Sequence, residues 1–246
     1  MSKDAAGPFT EPPLSNGPPI ILRQPEHGYR HAIDPILLSH FCQPQKNDRV
    51  FDLGTGNGII PLILARKDST LTIQAIEIQS ELYKTAMENL SLNSLADRIS
   101  LIHGDMKNLP RLLPEASVDL VVSNPPYIHR SAGRLNPDSE KAIARHEIMI
   151  TLDELLETAH FLMRPLGRFS VIYPARRAVD LLCRMRAFAI NPTRIRFVHP
   201  RINAGAKLVL VEGMKKKGTD VTILPPLALH DPEGDDTEEV RRMFLP

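Results

Sequence analysis

This chain lacks the residues that mark several protein classes. It has no tryptophan, and its 246 residues include only 8 phenylalanines and 4 tyrosines. Two cysteines, Cys42 and Cys183, exclude a disulfide scaffold and a cysteine-rich zinc site. The longest run without a charge, Leu53 to Ala65, is too short and too glycine-rich to span a membrane. The start, Met-Ser-Lys-Asp, has no apolar stretch of a secretory signal, so a cytoplasmic protein is expected. An excess of one charge is also missing. Lysine and arginine number 30 against 29 acids, so no overall basic field advertises nucleic acid. Proline is plentiful, at 22 residues. Hydrophobics at 42% and charged residues at 24% are globular values, and the length suits one large domain or two small ones.

Residues 1–19 hold five prolines and no apolar period, which suggests a disordered or loosely attached arm. Asp34-Pro35 ahead of Ile36, Leu37, Leu38 and Phe41 reads as a helix with Asp34 at its N-cap. Strands are expected at Arg49–Leu53, Leu71–Ile76, Ile99–His103, Val118–Val122, Gly167–Tyr173, Thr193–Val198 and Lys207–Glu212. Helices are expected at Ile59–Arg66, Ser80–Asn93, Leu152–Met163 and Ala175–Phe188. This alternation predicts an α/β fold: a Rossmann-like, seven-stranded, mostly parallel sheet with helices on both faces. The last two strands have no helix between them, so an antiparallel hairpin should close the sheet. The domain is read as 20–224, with 225–246 as an acidic tail.

Asp52-Leu-Gly54-Thr55-Gly56-Asn-Gly58 joins the first strong strand to the next helix. Glycines there allow a tight turn and a close approach of ligand to backbone. The pattern is neither the dinucleotide G-x-G-x-x-G nor a P-loop, since no Gly-Lys-Ser/Thr follows. Glu77 ends the next strand, where a carboxylate can take both hydroxyls of a ribose. Asp105, followed by Met106, comes after the third strand, where an adenine would lie. Three acids thus line one edge, the carboxyl edge where open α/β sheets bind ligands.

Asn124-Pro125-Pro126-Tyr127 follows the fourth strand, beside the glycine loop at the expected switch point. The prolines stiffen the backbone. The Asn124 side-chain oxygen and the Pro125 carbonyl are two acceptors for one NH2 group, and Tyr127 offers a ring for stacking. That set suits a delocalised amine, such as that of adenine, whose lone pair must be turned toward an electrophile. It needs positioning and electrostatics, with no covalent intermediate and no metal.

These residues resemble the class I S-adenosylmethionine-dependent methyltransferases. Asp52–Gly58 matches their cofactor loop, Glu77 their ribose acid and Asp105 their adenine-side acid. Asn124–Tyr127 matches the branch that methylates planar nitrogens: adenine, guanine and glutamine amides. Gln24-Pro-Glu-His-Gly28-Tyr29-Arg30, Asp34, and Ala144-Arg145-His146-Glu147 are similar to the tRNA adenine-N(6) methyltransferases acting on the anticodon loop of a valine tRNA. The resemblance implies S-adenosylmethionine as cofactor and RNA, in particular tRNA, as partner. It also implies that Tyr29, Arg30, Asp34 and Arg145 flank the cofactor or target base. Core packing for Tyr29 and helix capping for Asp34 are the competing readings.

Three alternatives stand beside this one. A protein glutamine methyltransferase usually carries a separate N-terminal helical domain, and only about 30 residues precede the core here. A guanine-specific RNA enzyme shares the chemistry, and a non-catalytic RNA-binding scaffold would not need the intact Asn124–Tyr127. Nine histidines form no metal-binding spacing, and no metal is expected. Between His160 and Asp220 thirteen lysines and arginines face three acids, so a basic face for an RNA backbone is expected. Its target base should be unpaired or flipped.

Overall fold

The computed structural model describes residues 9–10, 20–23, 33–126, 150–216, 218 and 220–244. Two short strands, β1 (Phe9–Thr10) and β2 (Ile21–Leu22), pair antiparallel near the N-terminus. The expected loose arm is therefore paired to the body at one point, with Phe9 opposite Leu22.

The centre is a nine-stranded sheet. Its parallel half comprises β3 (Arg49–Leu53), β4 (Thr72–Glu77), β5 (Ile99–His103), β6 (Val118–Ser123) and β7 (Met163–Pro174). The remainder comprises β8 (Asn191–Arg201), β9 (Leu208–Met214), β10 (Thr222–Ile223) and β11 (Leu227–His230). The spatial order is β10-β8-β9-β7-β6-β3-β4-β5, with β11 also beside β8. As expected, β8 and β9 form an antiparallel hairpin, and β9 runs antiparallel to β7. The seven expected strands are all present, and two further short strands extend the β8 edge in parallel.

Strands covered on both faces need apolar side chains at successive positions. All six residues of β6 are buried. Val50 and Leu120 face one layer, containing α1 (Asp34–Phe41), α2 (Ile59–Lys67) and α3 (Ser80–Leu92). Phe51 and Val121 face the other, containing α4 (Leu109–Leu112), α5 (Leu152–Leu162) and α6 (Ala178–Ala187). A capping box fixes the start of α5: Glu154 N–H donates to Thr151 Oγ1, and Thr151 N–H donates to Glu154 Oε2.

Besides shifts of a few residues at several ends, three features differ from the sequence reading. Ile33 is the N-cap of α1 and Asp34 its first residue, with no side-chain cap. α5 runs straight into β7, which begins at Met163 and not at Gly167 and includes Leu166 at φ +64°. The segment past Pro225 is not a tail. β11 pairs with β8, and α7 (Glu238–Phe244) packs Val240 and Met243 into the α1 layer. Glu239 forms a two-pronged ion pair with Arg196 at 2.6 and 2.8 Å, which fixes α7 to β8.

The parallel strands end along one edge. β3 continues outward through β4 and β5, whereas β6 and β7 lie on its other side. The switch point falls between β3 and β6, where such sheets open a crevice at the carboxyl ends.

Candidate active site

The glycine loop leaves β3 at this switch point. Gly54, Gly56 and Gly58 have φ of +75°, +61° and +84°, values that favour glycine. Gly54 N–H and Thr55 N–H both donate to the Ile76 carbonyl, at 3.1 and 3.0 Å, so the loop folds over the end of β4. Gly58 begins α2, and a Cβ on it would meet Ala86 Cβ of α3 at 3.3 Å. A Cβ on Gly56 would meet no described atom within 4 Å. The loop thus closes tightly on α3 while leaving open space beside Gly56.

Two acids border that space. Glu77 is buried and accepts Gly56 N–H at 2.9 Å and Gln79 N–H at 2.8 Å. Burial raises its pKa, and these backbone donors and His103 restrain the rise. Asp52 is fully buried, and both its carboxyl oxygens lack a hydrogen-bond partner among the described residues. Burial pushes its pKa up to about 7; the nearby Thr55 hydroxyl moderates this, and the Glu77 charge adds to it. Thr55 Oγ1 is also buried and makes no hydrogen bond of ordinary geometry to a described residue. Buried polar atoms without partners are costly, and a cluster of them beside an open loop suits a ligand.

Asp105 follows β5 and starts a short 3-10 turn, Met106–Asn108, by accepting Lys107 N–H at 2.9 Å. Lys107 Nζ lies 3.4 Å from Asp105 Oδ2 and 3.8 Å from Glu154 Oε1. It links this turn to the head of α5, a role that sequence spacing does not signal. Met106 is half-buried, and its Cε would touch a Cβ placed on Gly54 at 3.6 Å. These residues fit S-adenosylmethionine: acceptors for an ammonium and ribose hydroxyls, open space beside glycine, and a thioether close by.

The second loop leaves β6, directly beside β3. Asn124 is half-buried, Pro125 buried and Pro126 exposed. Ser123 is fully buried, and its Oγ donates to the Leu53 carbonyl at 2.8 Å. This bond ties the root of the Asn-Pro-Pro loop to the root of the glycine loop. Ser123 was not singled out from sequence. Asp34 is half-buried at the head of α1, with its pKa raised by burial. Tyr127, Tyr29, Arg30 and Arg145 lie outside the described residues.

The expected basic face is partly consumed within the fold. Arg164 pairs with Asp119, Arg168 with Asp48, Arg177 with Asp180, Arg184 with Asp153, Arg194 with Glu212, and Arg196 with Glu239. Lys215 Nζ donates to the His160 and Met163 carbonyls, both at 2.9 Å. Arg176 and Lys207 have no carboxylate partner among the described residues and stand at the carboxyl edge. The Ala175 N–H bonds the Lys207 carbonyl there at 2.9 Å.

This strand order and loop pair define a methyltransferase of the doubly wound α/β type. Residues 33–172 match the model of the methyltransferase small domain family. A Parabacteroides distasonis protein named tRNA1(Val) (adenine(37)-N6)-methyltransferase is 32% identical over 181 residues, 73% of this chain and 74% of its own. A Bacteroides fragilis protein of the same name is 27% identical over 86% of this chain and 89% of its own. A solved structure from Agrobacterium tumefaciens, described as a predicted O-methyltransferase, superposes with a TM-score of 0.69. It shares 20% identity and covers 85% of this chain and 94% of its own. The chain belongs to the methyltransferase small domain family, within the group that holds these tRNA1(Val) relatives. It is a methyltransferase whose methyl donor is S-adenosylmethionine.

Proposed function

We propose that this chain methylates the exocyclic amine of an unpaired adenine in a tRNA anticodon loop. The observation that carries the reading is the tie between the two loops through Ser123 and Leu53. The names of the relatives supply the substrate class. When bound, S-adenosylmethionine supplies an electrophilic methyl group on a sulfonium sulfur.

Glu77 would take the ribose hydroxyls with the lone pairs left over from Gly56 and Gln79. The partnerless oxygens of Asp52 and the Thr55 hydroxyl would receive the ammonium end. Met106 would lie against the adenine, and Asp105 would shape that side by capping the turn. Across the switch point, the Asn124 side-chain oxygen and the Pro125 carbonyl would accept the two hydrogens of the target amine. That grip draws the nitrogen lone pair out of ring conjugation and aims it at the methyl group. Tyr127 is assigned to stack on the base, and Asp34, at the head of α1, is assigned to flank the same site.

Mass spectrometry of digested tRNA from cells with and without the gene tests the reading. N6-methyladenosine should disappear at one anticodon-loop position in the absence of the gene. Loss of a methylguanosine or of methylglutamine instead would replace adenine with guanine or a protein amide. No change in any methylated product would favour the scaffold reading.

A further inference from the structure

Two asparagines stand one turn apart at the end of α3, Asn89 within the helix and Asn93 at its C-cap, and both side chains are buried. Asn93 Oδ1 accepts Ile21 N–H at 3.0 Å, and its Nδ2 donates to the Ile21 carbonyl at 2.7 Å. Asn89 Oδ1 accepts Arg23 N–H at 2.7 Å, and its Nδ2 donates to the Arg23 carbonyl at 3.1 Å. A carboxamide carries the same donor and acceptor as a peptide group. Four residues of helix rise about 6 Å, and two residues of strand advance about 6.6 Å. The two asparagines therefore imitate the edge of a β-strand and grip alternate residues of the extended segment at 20–23.

Asn89 also does something that Asn93 does not. Its Nδ2 donates to the Asn57 carbonyl at 2.9 Å, inside the glycine loop. The three loop glycines have no side chains to lock their backbone. On one side the loop is held by Glu77 and the Ile76 carbonyl through its N–H groups. On the other, Asn89 holds a loop carbonyl.

We propose that Asn89 is a positioning residue for cofactor binding, and that residues 20–23 form a strut reaching the glycine loop through it. The proposal rests on reading the glycine loop as the cofactor seat. A loop held from both sides enters the complex already ordered and loses less entropy on binding. Asn93, which grips the same strut without touching the loop, provides an internal control for simple loss of stability.

The test is calorimetric titration of the full chain with S-adenosylmethionine, together with thermal unfolding. Asn89→Leu should weaken cofactor binding about tenfold and Asn93→Leu less than twofold, with similar losses of melting temperature. Asn89→Asp keeps the shape but turns an oxygen toward the Asn57 carbonyl, so it should not restore affinity. Normal binding by both Asn89 variants, or an equal loss in Asn93→Leu, would overturn the proposal. If the Asn89 variants fail to fold, Arg23→Pro removes one donor to Asn89 and leaves both asparagines in place. It should weaken binding about threefold, and unchanged affinity would overturn the strut. Glu77→Ala, run alongside, separates the two readings. Normal binding there would mean that the loop is not the cofactor seat. Weak binding there with normal Asn89 variants would reject the strut alone.

Discussion

Ser123 Oγ donates a 2.8 Å hydrogen bond to the carbonyl of Leu53, the last residue of β3. The two residues are 70 positions apart and both completely buried. The bond joins the strand end that opens the cofactor loop to the one that opens the Asn-Pro-Pro loop. On the proposed assignment of the two loops, the sheet sets the distance between methyl donor and acceptor. Ser123→Ala should lower kcat about tenfold and shift the Kd for S-adenosylmethionine less than threefold. Stability should fall by about 1–2 kcal/mol, the usual cost of leaving a buried acceptor unpaired. Single-turnover kinetics and urea unfolding check both, and an unaltered kcat would remove the coupling role.

Asn124→Ala should retain cofactor affinity and lose methyl transfer by a factor of at least about 100, in the range seen when one donor or acceptor of a reacting group is deleted. Asn124 follows β6, on the target side of the switch point. Calorimetry and tRNA methylation assays on the same preparation test the split. Comparable turnover in the variant would sink the assignment.

Asp52 gives a pH signature. In the cofactor-free fold its pKa rises from 3.8 to about 7. Between those values the native state holds a proton that the unfolded chain releases. Stability therefore falls as pH rises from about 4 to about 7, and the loss persists above. Asp52→Asn should raise the melting temperature of the free protein at pH 8 far more than at pH 4. The difference is on the order of a few kcal/mol. In the native protein, cofactor affinity should increase through pH 7 as the carboxylate becomes available to the ammonium. Calorimetry across pH 6–8 checks this, and a flat profile would count against Asp52 as the ammonium partner.

Arg176 should contribute to RNA binding because no carboxylate among the described residues claims it. Arg176→Glu should weaken tRNA affinity and lower the slope of log K against log salt by about 1. Arg184→Glu, whose native arginine is paired with Asp153 at 3.3 Å, should change the slope less. Filter binding at several salt concentrations tests the ranking, and equal effects would remove it.

Truncation after Pro225 should destabilise the whole domain by several kcal/mol. It uncovers the apolar surface against which Leu227, Val240 and Met243 pack, and each such side chain contributes about 1.5–3 kcal/mol when buried. Urea midpoints of the full and shortened chains measure this. An unchanged midpoint would restore the reading of this segment as a tail.

The parts legible in the sequence are those whose signal is local. The apolar run Leu120–Val122, the glycines at 54, 56 and 58, and Asp52, Glu77 and Asp105 at or near strand ends announce themselves through type and spacing. What escaped acts across long separations. Ser123 and Asn89 are ordinary polar residues until Leu53, Asn57 and Arg23 are brought to them. Leu227 follows two prolines, Val240 and Met243 sit among charged residues, and only pairing with β8 and packing against the α1 layer make them core. The basic stretch overstated its unpaired charge for the same reason. Asp48, Asp119 and Asp153, far upstream in the chain, absorb Arg168, Arg164 and Arg184.

A glycine loop feeding a helix usually welcomes phosphate, because the free N–H groups and helix dipole attract anions. Here Asp52 of β3 and Glu77 at the end of β4 are buried beside that turn, and Glu77 already occupies the Gly56 N–H. A phosphorylated nucleotide entering would meet two acids where it needs donors. ATP and the dinucleotides share the adenosine half of the cofactor, so base and ribose alone cannot keep them out. With the cofactor seated as proposed, the buried acids would make charge the deciding test, favouring an adenosine that carries a cation over one that carries a phosphate.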